Sequence, residues 1–469
     1  MAPKPCDVPP PEALPGKDHI FAPADEEGFG CYFQEHGFVV IDGVLGDESV
    51  SATVDELWEC PSLLGGYPMI QRSDPKTWGG DDWPAGSRNF LDSLDPCLER
   101  QSWRNRVNPV ISRIYEVLYR SVPPDGQEGE QEEIKQEPEE SSDGELVVSV
   151  DRFGVMRPAL VRVTVAGDKG GSPADAAATA PAAAAAKAGY PTCGGQLPVA
   201  PAPASLSKEG TEASRTVTVP RPEWRTSRNW LHWDQNPWST PGFFAMQGLV
   251  GLSASSSTSG GFVTVPGFHR KFRQWGQDHP EGSIPKRTAK MVPFPVPLED
   301  EMQSRRVKVI VPPGGLLVWD SRMPHENFPN EGETWRLVQY IMYKRLRPAA
   351  LEHRAEAWRA SIRTGLVPAA FARSFSFEEW ARLGMATHAE DALKLEAALQ
   401  EGEKLSPEAL EAAQKLRRAY RLKQTAMDPL SLREAKELFQ AAFSVNPALK
   451  EPLQRVAAAE DTYLPFWIL

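Results

Sequence analysis

The period of the apolar positions changes several times along this chain, and the changes divide it. Residues 1–27 are proline-rich without periodic apolar positions, which predicts a flexible leader. From Gly28, GFGCYFQEHGFVVIDGVL predicts a short helix, a strand over Phe38 to Ile41 and then a turn. In SVSATVDELWEC, Val50, Val54, Leu57 and Trp58 recur at helical spacing. Val107, Val110, Ile114 and Leu118 do the same in a second predicted helix over 101–120. A strand-like stretch, ELVVSVDRFGVMRPALVRVTV, occupies 145–165. From 216 to 347 short β-like runs dominate, among them RTVTV, FFAMQGLVGL, GGFVTVPG, VKVIVPPGGLLVWD and WRLVQYIMYKR. Strands that follow one another without helices between them predict an antiparallel sandwich or barrel. The Pro-Pro-Gly-Gly at 312–315 marks a tight turn between two of them. Beyond about 350 the pattern turns helical. Ser376 with Glu379 and Ser431 with Glu434 fit capping boxes, and Ser406-Pro407 fits an N-cap followed by proline at the first helical position. Leu432, Ala435, Leu438, Phe439 and Ala442 form one apolar helix face.

Two segments fit neither period. Residues 121–145 are acidic and punctuated by glycine and proline, and 166–214 are rich in Ala, Pro, Gly and Ser, with an alanine run at 182–186. Such compositions bury too little apolar surface to offset their ordering entropy. Because strands resume on both sides, the segments are expected to be insertions in one domain, 28–347, followed by a helical region, 348–469. Formal net charge is −12, and the stretch 125–145 alone contributes −9, which leaves the rest near neutral at about −3. That balance argues against a nucleic-acid-binding surface. Cys6, Cys31, Cys60, Cys97 and Cys193 are scattered, with no C-x-x-C pair, which suggests a reducing compartment and no structural zinc. The N-terminus lacks the apolar core of a secretory signal, no run of about 18 apolar residues exists, and the last three residues are not the common peroxisomal tripeptide. The expectation is a cytoplasmic protein without a membrane span.

Candidate chemistry concentrates in a few of the eight histidines. In Asn229-Trp230-Leu231-His232-Trp233-Asp234, strand alternation turns His232 and Asp234 to one face. His325 follows 91 residues after Asp234, just beyond the strand LLVWD. Two imidazoles and one carboxylate on one side of a cation leave the opposite positions open, the ligand set of non-haem Fe(II) oxygenases. Arg336, eleven residues after His325, opens the next strand. Its two-pronged guanidinium matches the far carboxylate of a keto acid such as 2-oxoglutarate.

With these residues in place, the segment 28–347 resembles the phytanoyl-CoA dioxygenase family. The resemblance rests on His232-x-Asp234, on His325 and Arg336 at their spacing, on Gly260-Gly261-Phe262-Val263-Thr264-Val265-Pro266-Gly267-Phe268-His269-Arg270, and on the leader GFVVIDGVL. It implies a mainly β core with helices, folded as a double-stranded β-helix (a jelly roll of the cupin type) with flanking helices and a helical C-terminal region. It further implies Fe(II), 2-oxoglutarate and O2 as cofactor and cosubstrates, with oxidative decarboxylation to succinate coupled to hydroxylation of an unactivated C–H bond. The partner would be a small-molecule or lipid-like substrate. Two lesser site residues come from the same resemblance. Trp238 stands where relatives carry an aromatic, and Asn327 stands where they carry a small hydroxyl residue near the cosubstrate.

Other readings compete. A His-x-Asp pair alone is more often a hydrogen-bonded polar pair than a metal site; the four-part constellation outweighs that. His269 reads as structural or surface, His36 as a helix-end residue, and His19, His279, His353 and His388 as solvent-facing. Trp230, Trp233 and Trp238 are as readily core as substrate contacts. SSSTSGG at 255–261 is no phosphate loop, because no Gly-Lys-Ser/Thr follows. The C-terminal helices read as a packing or dimer element. A halogenase of the same superfamily would lack the carboxylate, but Asp234 is present. A non-catalytic jelly-roll scaffold would be expected to lose a ligand or the arginine, and none is lost. A nucleic-acid demethylase is disfavoured by the absent basic patch. In the acidic segment, Ile134-Lys135-Gln136-Glu137 has the form of a sumoylation acceptor and Ser142 suits an acidophilic kinase, though a plain solvated loop explains both.

Overall fold

A computed structural model describes residues 10–452 apart from 15, 61–63, 65–66, 68, 80–82, 84–90, 95–100, 123–143, 166–214 and 426–428. The segments 121–145 and 166–214, with Lys135, Ser142 and the alanine run, lie outside the described residues except for 121–122 and 144–145.

The first elements follow from their caps. Asp25 accepts the Gly28 N–H at 3.1 Å and starts the helix Glu26–His36. Gly37, at φ 76°, ends it by donating its N–H to the Phe33 carbonyl, so the strand Phe38–Ile41 begins at the next residue. That strand joins a seven-stranded sheet in the order Ile20–Phe21, Phe38–Ile41, Leu316–Asp320, Met246–Gly251, Arg336–Tyr340, Phe153–Met156 and Leu91–Leu94. A six-stranded sheet runs Glu12–Ala13, Val307–Val309, Gly261–Thr264, His325–Phe328, His232–Trp233 and Phe294–Pro295. Within the stretch read as leader, Glu12–Ala13 and Ile20–Phe21 therefore each add a short parallel strand to a sheet. The core is mainly β, with helices packed on it.

The central strands of the seven-stranded sheet are covered on both faces, which explains why Phe38–Ile41, Met246–Gly251 and Leu316–Asp320 read as largely apolar runs. Val39, Ile41, Val250, Leu316, Val318 and Leu337 face a helical layer that includes Leu57, Ile111, Ile114, Leu118 and Trp358. Their alternates Phe38, Val40, Leu249, Leu317, Trp319 and Val338 join Phe262 and Val309 of the other sheet. Tyr115 and Tyr119 tie the layers by donating to the Ile341 and Tyr343 carbonyls at 2.8 and 3.0 Å.

Several sequence expectations need correction. The helix predicted over 101–120 is two, Gln101–Arg106 and Pro109–Ser121. Pro109 has no N–H to continue a helix, and Asn108 caps the new one by accepting from Val110 N. Val107 falls in the break and Val110 is exposed, so the buried face is Ile111, Ile114, Tyr115 and Leu118. The Ser376–Glu379 capping box forms, and Ser406 accepts from Ala409 N at 3.3 Å. The Ser431–Glu434 box does not cap, because that helix already starts at Pro429. On its face Ala435 and Ala442 are buried, but Leu432 is exposed. His19, expected in solvent, is buried. Cys60 is disulfide-bonded, against the expectation of reduced thiols, while Cys31 is a free exposed thiol. No helix among the described residues is long and apolar enough to cross a membrane.

The C-terminal helices are not appended loosely. Arg354, fully buried on Pro348–Arg363, donates to the Leu383 carbonyl at 2.8 Å and to the Val148 carbonyl at 2.6 Å, and so joins that helix to the Glu145–Val148 strand. Between the Val307–Val309 and Leu316–Asp320 strands, Gly314 adopts φ 75° and accepts the Leu45 N–H at 2.9 Å. A Cβ there would lie 2.2 Å from the Leu45 carbonyl oxygen, a backbone atom that cannot swing aside. We expect Gly314→Ala to cost on the order of 2–4 kcal/mol, from the left-handed backbone and the displaced neighbour. Urea unfolding should show a lower midpoint at unchanged slope; a wild-type midpoint would mean that the turn relaxes freely.

Candidate functional site

His232 and His325 stand directly opposite each other on antiparallel strands, so both project from the same face of the six-stranded sheet. Trp233, the next residue, turns to the other face and packs among Phe268, Phe272, Trp275 and Phe294. The strand ends at Trp233, and Asp234 returns to the side of His232 from the following turn. Its Oδ1 lies 3.3 Å from His232 Nε2 and its Oδ2 3.5 Å from His325 Nε2. The three potential ligand atoms fall within 4.8 Å of one another.

Each imidazole is oriented from behind. His232 Nδ1 lies 3.2 Å from the Trp230 carbonyl and His325 Nδ1 3.1 Å from the Met323 carbonyl. A carbonyl only accepts, so both Nδ1 atoms carry the proton and both Nε2 lone pairs point at the shared space. The Trp230 indole stacks on His232 at 4.9 Å and 16°, and Phe262 stacks on His325 at 5.8 Å and 19°. Burial pulls His232 below its usual range, and the neighbouring His325 adds to this, which keeps the ring neutral with its lone pair available. Burial alone would push Asp234 up, but the imidazoles of His232 and His325 beside it, whose protonated forms pair with the carboxylate, outweigh this and hold the carboxyl well below the usual carboxylate range.

Asp234 has a further partner that the sequence did not reveal. Gln247 donates to Asp234 Oδ2 at 2.8 Å, and Trp319 donates to Gln247 Oε1 at 2.9 Å. The one available signal was a glutamine inside the apolar run FFAMQGLVGL.

Arg336 opens its strand on the opposing sheet and is buried. Leu337 and Gln339 face the helical layer, where Gln339 bonds to Asn105 and to the Ser102 carbonyl. By alternation Arg336 and Val338 face the space between the sheets. There Arg336 lines a small, partly open pocket with Ser253, Ser255, Gly260 and Phe262, the last being the ring stacked on His325. Gly260 gives the guanidinium stem room, since a Cβ there would come 3.3 Å from Arg336 Cβ and Cγ. Lys308, also unforeseen, shapes the same loop by donating to the carbonyls of Ser256 at 2.8 Å, of Ser257 at 2.9 Å and of Ser259.

Asn327 is buried opposite Phe262 in the strand register, on the face of His325. Trp238 packs edge-on against Phe294 at 5.0 Å and donates to the His279 carbonyl at 2.7 Å, partners outside the trio. His269 is a packing residue, with its Nε2 3.1 Å from the Gln34 carbonyl and its ring against Gly37.

Two inward Nε2 atoms and an ionised carboxylate can hold one divalent cation with open positions beside it. We expect Co(II) to bind with one-to-one stoichiometry. His325→Ala should lose more than the roughly 10–100-fold that removal of an outer partner causes. Calorimetric titration reads this, and equal binding by the variant would remove His325 from the site.

No protein-family model matches the chain. A Dictyostelium discoideum protein named "Putative phytanoyl-CoA dioxygenase" is 21% identical over 345 residues, 66% of this chain and 73% of the relative. Among solved structures, the epimerase SnoN in complex with Fe3+, alpha ketoglutarate and nogalamycin RO shares 15% identity at a TM-score of 0.35, covering 69% of this chain and 84% of its own. GIG2 of Candida albicans shares 12% at 0.40, covering 90% and 88%. A hypothetical protein of Escherichia coli shares 13% at 0.42, covering 82% and 85%. These TM-scores are low. The resemblance to the phytanoyl-CoA dioxygenase family carried by His232, Asp234, His325 and Arg336 is thus matched by a relative of that name across two thirds of the chain.

Proposed function

We propose that this protein is an Fe(II)- and 2-oxoglutarate-dependent dioxygenase that hydroxylates an unactivated C–H bond of a small-molecule or lipid-like substrate. The observation that carries the reading is the convergence of His232 Nε2, His325 Nε2 and the Asp234 carboxylate, with both Nδ1 atoms already committed to backbone carbonyls. That donor set fits Fe(II): two neutral imidazoles and one anion hold the ion and leave room for further ligands.

When bound, Fe(II) with 2-oxoglutarate and O2 supplies the oxidative decarboxylation that yields succinate and CO2 and drives C–H oxidation. The chain's own contribution is placement. His232, Asp234 and His325 bind the metal; Gln247 fixes the carboxylate through Oδ2. Arg336 receives the far carboxylate of 2-oxoglutarate from the opposing sheet, where burial strengthens a charged, two-pronged hydrogen bond. Asn327 lies on the metal-facing side and is assigned a secondary contact to the cosubstrate. Asp234 occupies the position that a halide would need, which favours hydroxylation over halogenation.

The test is succinate formation from 2-oxoglutarate under Fe(II), across a substrate panel. Arg336→Ala should raise the KM for 2-oxoglutarate by the equivalent of about 2–5 kcal/mol while Fe(II) affinity stays near wild type. An unchanged KM would sink the role of Arg336, and no Fe(II)-dependent succinate from the wild type would sink the enzyme reading.

We infer the same family's organisation for the chain: a double-stranded β-helix over 28–347, interrupted at 121–145 and 166–214, and a helical region over 348–469. Two observations support it. The two sheets face each other across a shared apolar layer. Val165 pairs with Arg215, so the strands Leu160–Val165 and Arg215–Pro220 form a hairpin from whose end 166–214 departs and returns. Replacing 166–214 with Asn-Gly, which suits a two-residue hairpin turn, should leave the unfolding midpoint and the basal turnover of 2-oxoglutarate unchanged. An insoluble or unfolded product would show that the segment is structural.

A further inference from the structure

The short strand that carries His232 is entered through Asn229 and Trp230, and a buried ion pair from elsewhere in the chain holds both. Asn229 sits at φ 58°, a left-handed backbone that needs outside support. Arg306 donates through Nη1 to Asn229 Oδ1 at 2.8 Å and to Glu326 Oε1, and through Nε to the Gln303 carbonyl at 2.9 Å. The other carboxylate oxygen, Glu326 Oε2, accepts the Trp230 backbone N–H at 2.7 Å. The Arg306 and Glu326 side chains are 1% and 4% exposed.

Trp230 then serves His232 twice. Its carbonyl faces Nδ1 at 3.2 Å, and its indole lies on the imidazole at 4.9 Å. Glu326 follows His325 in sequence, and strand alternation turns the two side chains to opposite faces. One carboxylate therefore couples the strand of His325 to the segment that orients His232. Burying an ion pair is often no better for stability than an apolar pair of similar volume, which directs attention to what this pair positions.

Building on the metal-centre reading above, we propose that Arg306 and Glu326 are positioning residues that set the orientation of His232 through Trp230. They touch neither metal nor substrate. They fix the backbone N–H and carbonyl frame from which His232 Nε2 is aimed, and the Asn229 conformation that starts that frame.

Two variants test this, with Co(II) as the probe, read by calorimetry and by its visible d–d absorption, and with wild type and His232→Ala as references. Glu326→Gln keeps the shape but weakens the clamp; it should raise the Co(II) Kd by about 10–100-fold and alter the d–d bands. The double variant Arg306→Met, Glu326→Leu should be at least as stable as wild type on thermal unfolding. It should nevertheless keep the weakened affinity and altered spectrum, because the Trp230 N–H has lost its acceptor. A purely structural ion pair gives the opposite result: a stable double variant with wild-type Co(II) affinity and spectrum overturns the positioning role. If the apolar pair packs poorly, the isosteric Glu326→Gln decides alone, and wild-type binding there overturns the proposal equally. A wild-type protein indistinguishable from His232→Ala overturns both the proposal and the metal-centre reading, so the two failures are told apart.

Discussion

One backbone register governs the candidate site. His325 pairs with His232 across two antiparallel strands, and side chains alternate with a period of two. A slip of a single residue would turn His325 to the face now occupied by Glu326 and break the cluster. The register is held at several points. Thr264, on the strand beyond, pairs with His325 and donates through its hydroxyl to the Pro324 carbonyl at 2.8 Å. Glu326 crosses to Trp230 on the opposite face. The cluster thus depends less on the affinity of its members for one another than on the pairing of the strands beneath them.

That pairing has little stiffness of its own, since His232–Trp233 is two residues long. Stiffness comes from the opposing sheet. Its central strands are buried on both faces, by the helical layer on one side and by the inter-sheet core on the other. Close packing of this kind leaves few ways to shift a strand without opening a void. The C-terminal helices belong to the same support: Trp358, Phe371 and Leu383 join the cluster that covers the sheet. The region read as a packing element therefore stiffens the sheet that presents Arg336 and Gln247.

What the sequence disclosed and what it withheld follow from the range of each signal. Local periodicity and caps placed Phe38–Ile41, the Ser376 capping box and most strands after 245, because those features are written in neighbouring residues. The grouping of His232, Asp234 and His325 was legible because their residue types are rare in apolar strands and their spacing is distinctive. The helix break at Pro109 was equally local, but the apolar period carried through it and masked it. His19 was misplaced because burial of a single residue near the chain start depends on a distant strand. Gln247, Arg306, Glu326 and Lys308 were missed for a similar reason. Each matters through a partner dozens of residues away, and none recurs with any period.

The missed residues share a logic that chemistry can still recover from the structure. An indole N–H can only donate, so the Gln247 oxygen must face Trp319. Its amide nitrogen must then face Asp234, whose Oδ2 accepts it. The Nδ1 atoms of His232 and His325 face the carbonyls of Trp230 and Met323, which only accept, so each Nδ1 carries a proton and each Nε2 is turned toward that carboxylate. Trp230 can offer its carbonyl in that direction because Glu326 holds its N–H. Each group has its donor or acceptor role fixed by the one before it, from Trp319 on one sheet to Arg306 on the far side of the other. In a chain of that kind a change at either end is felt at the histidines, although neither end touches them.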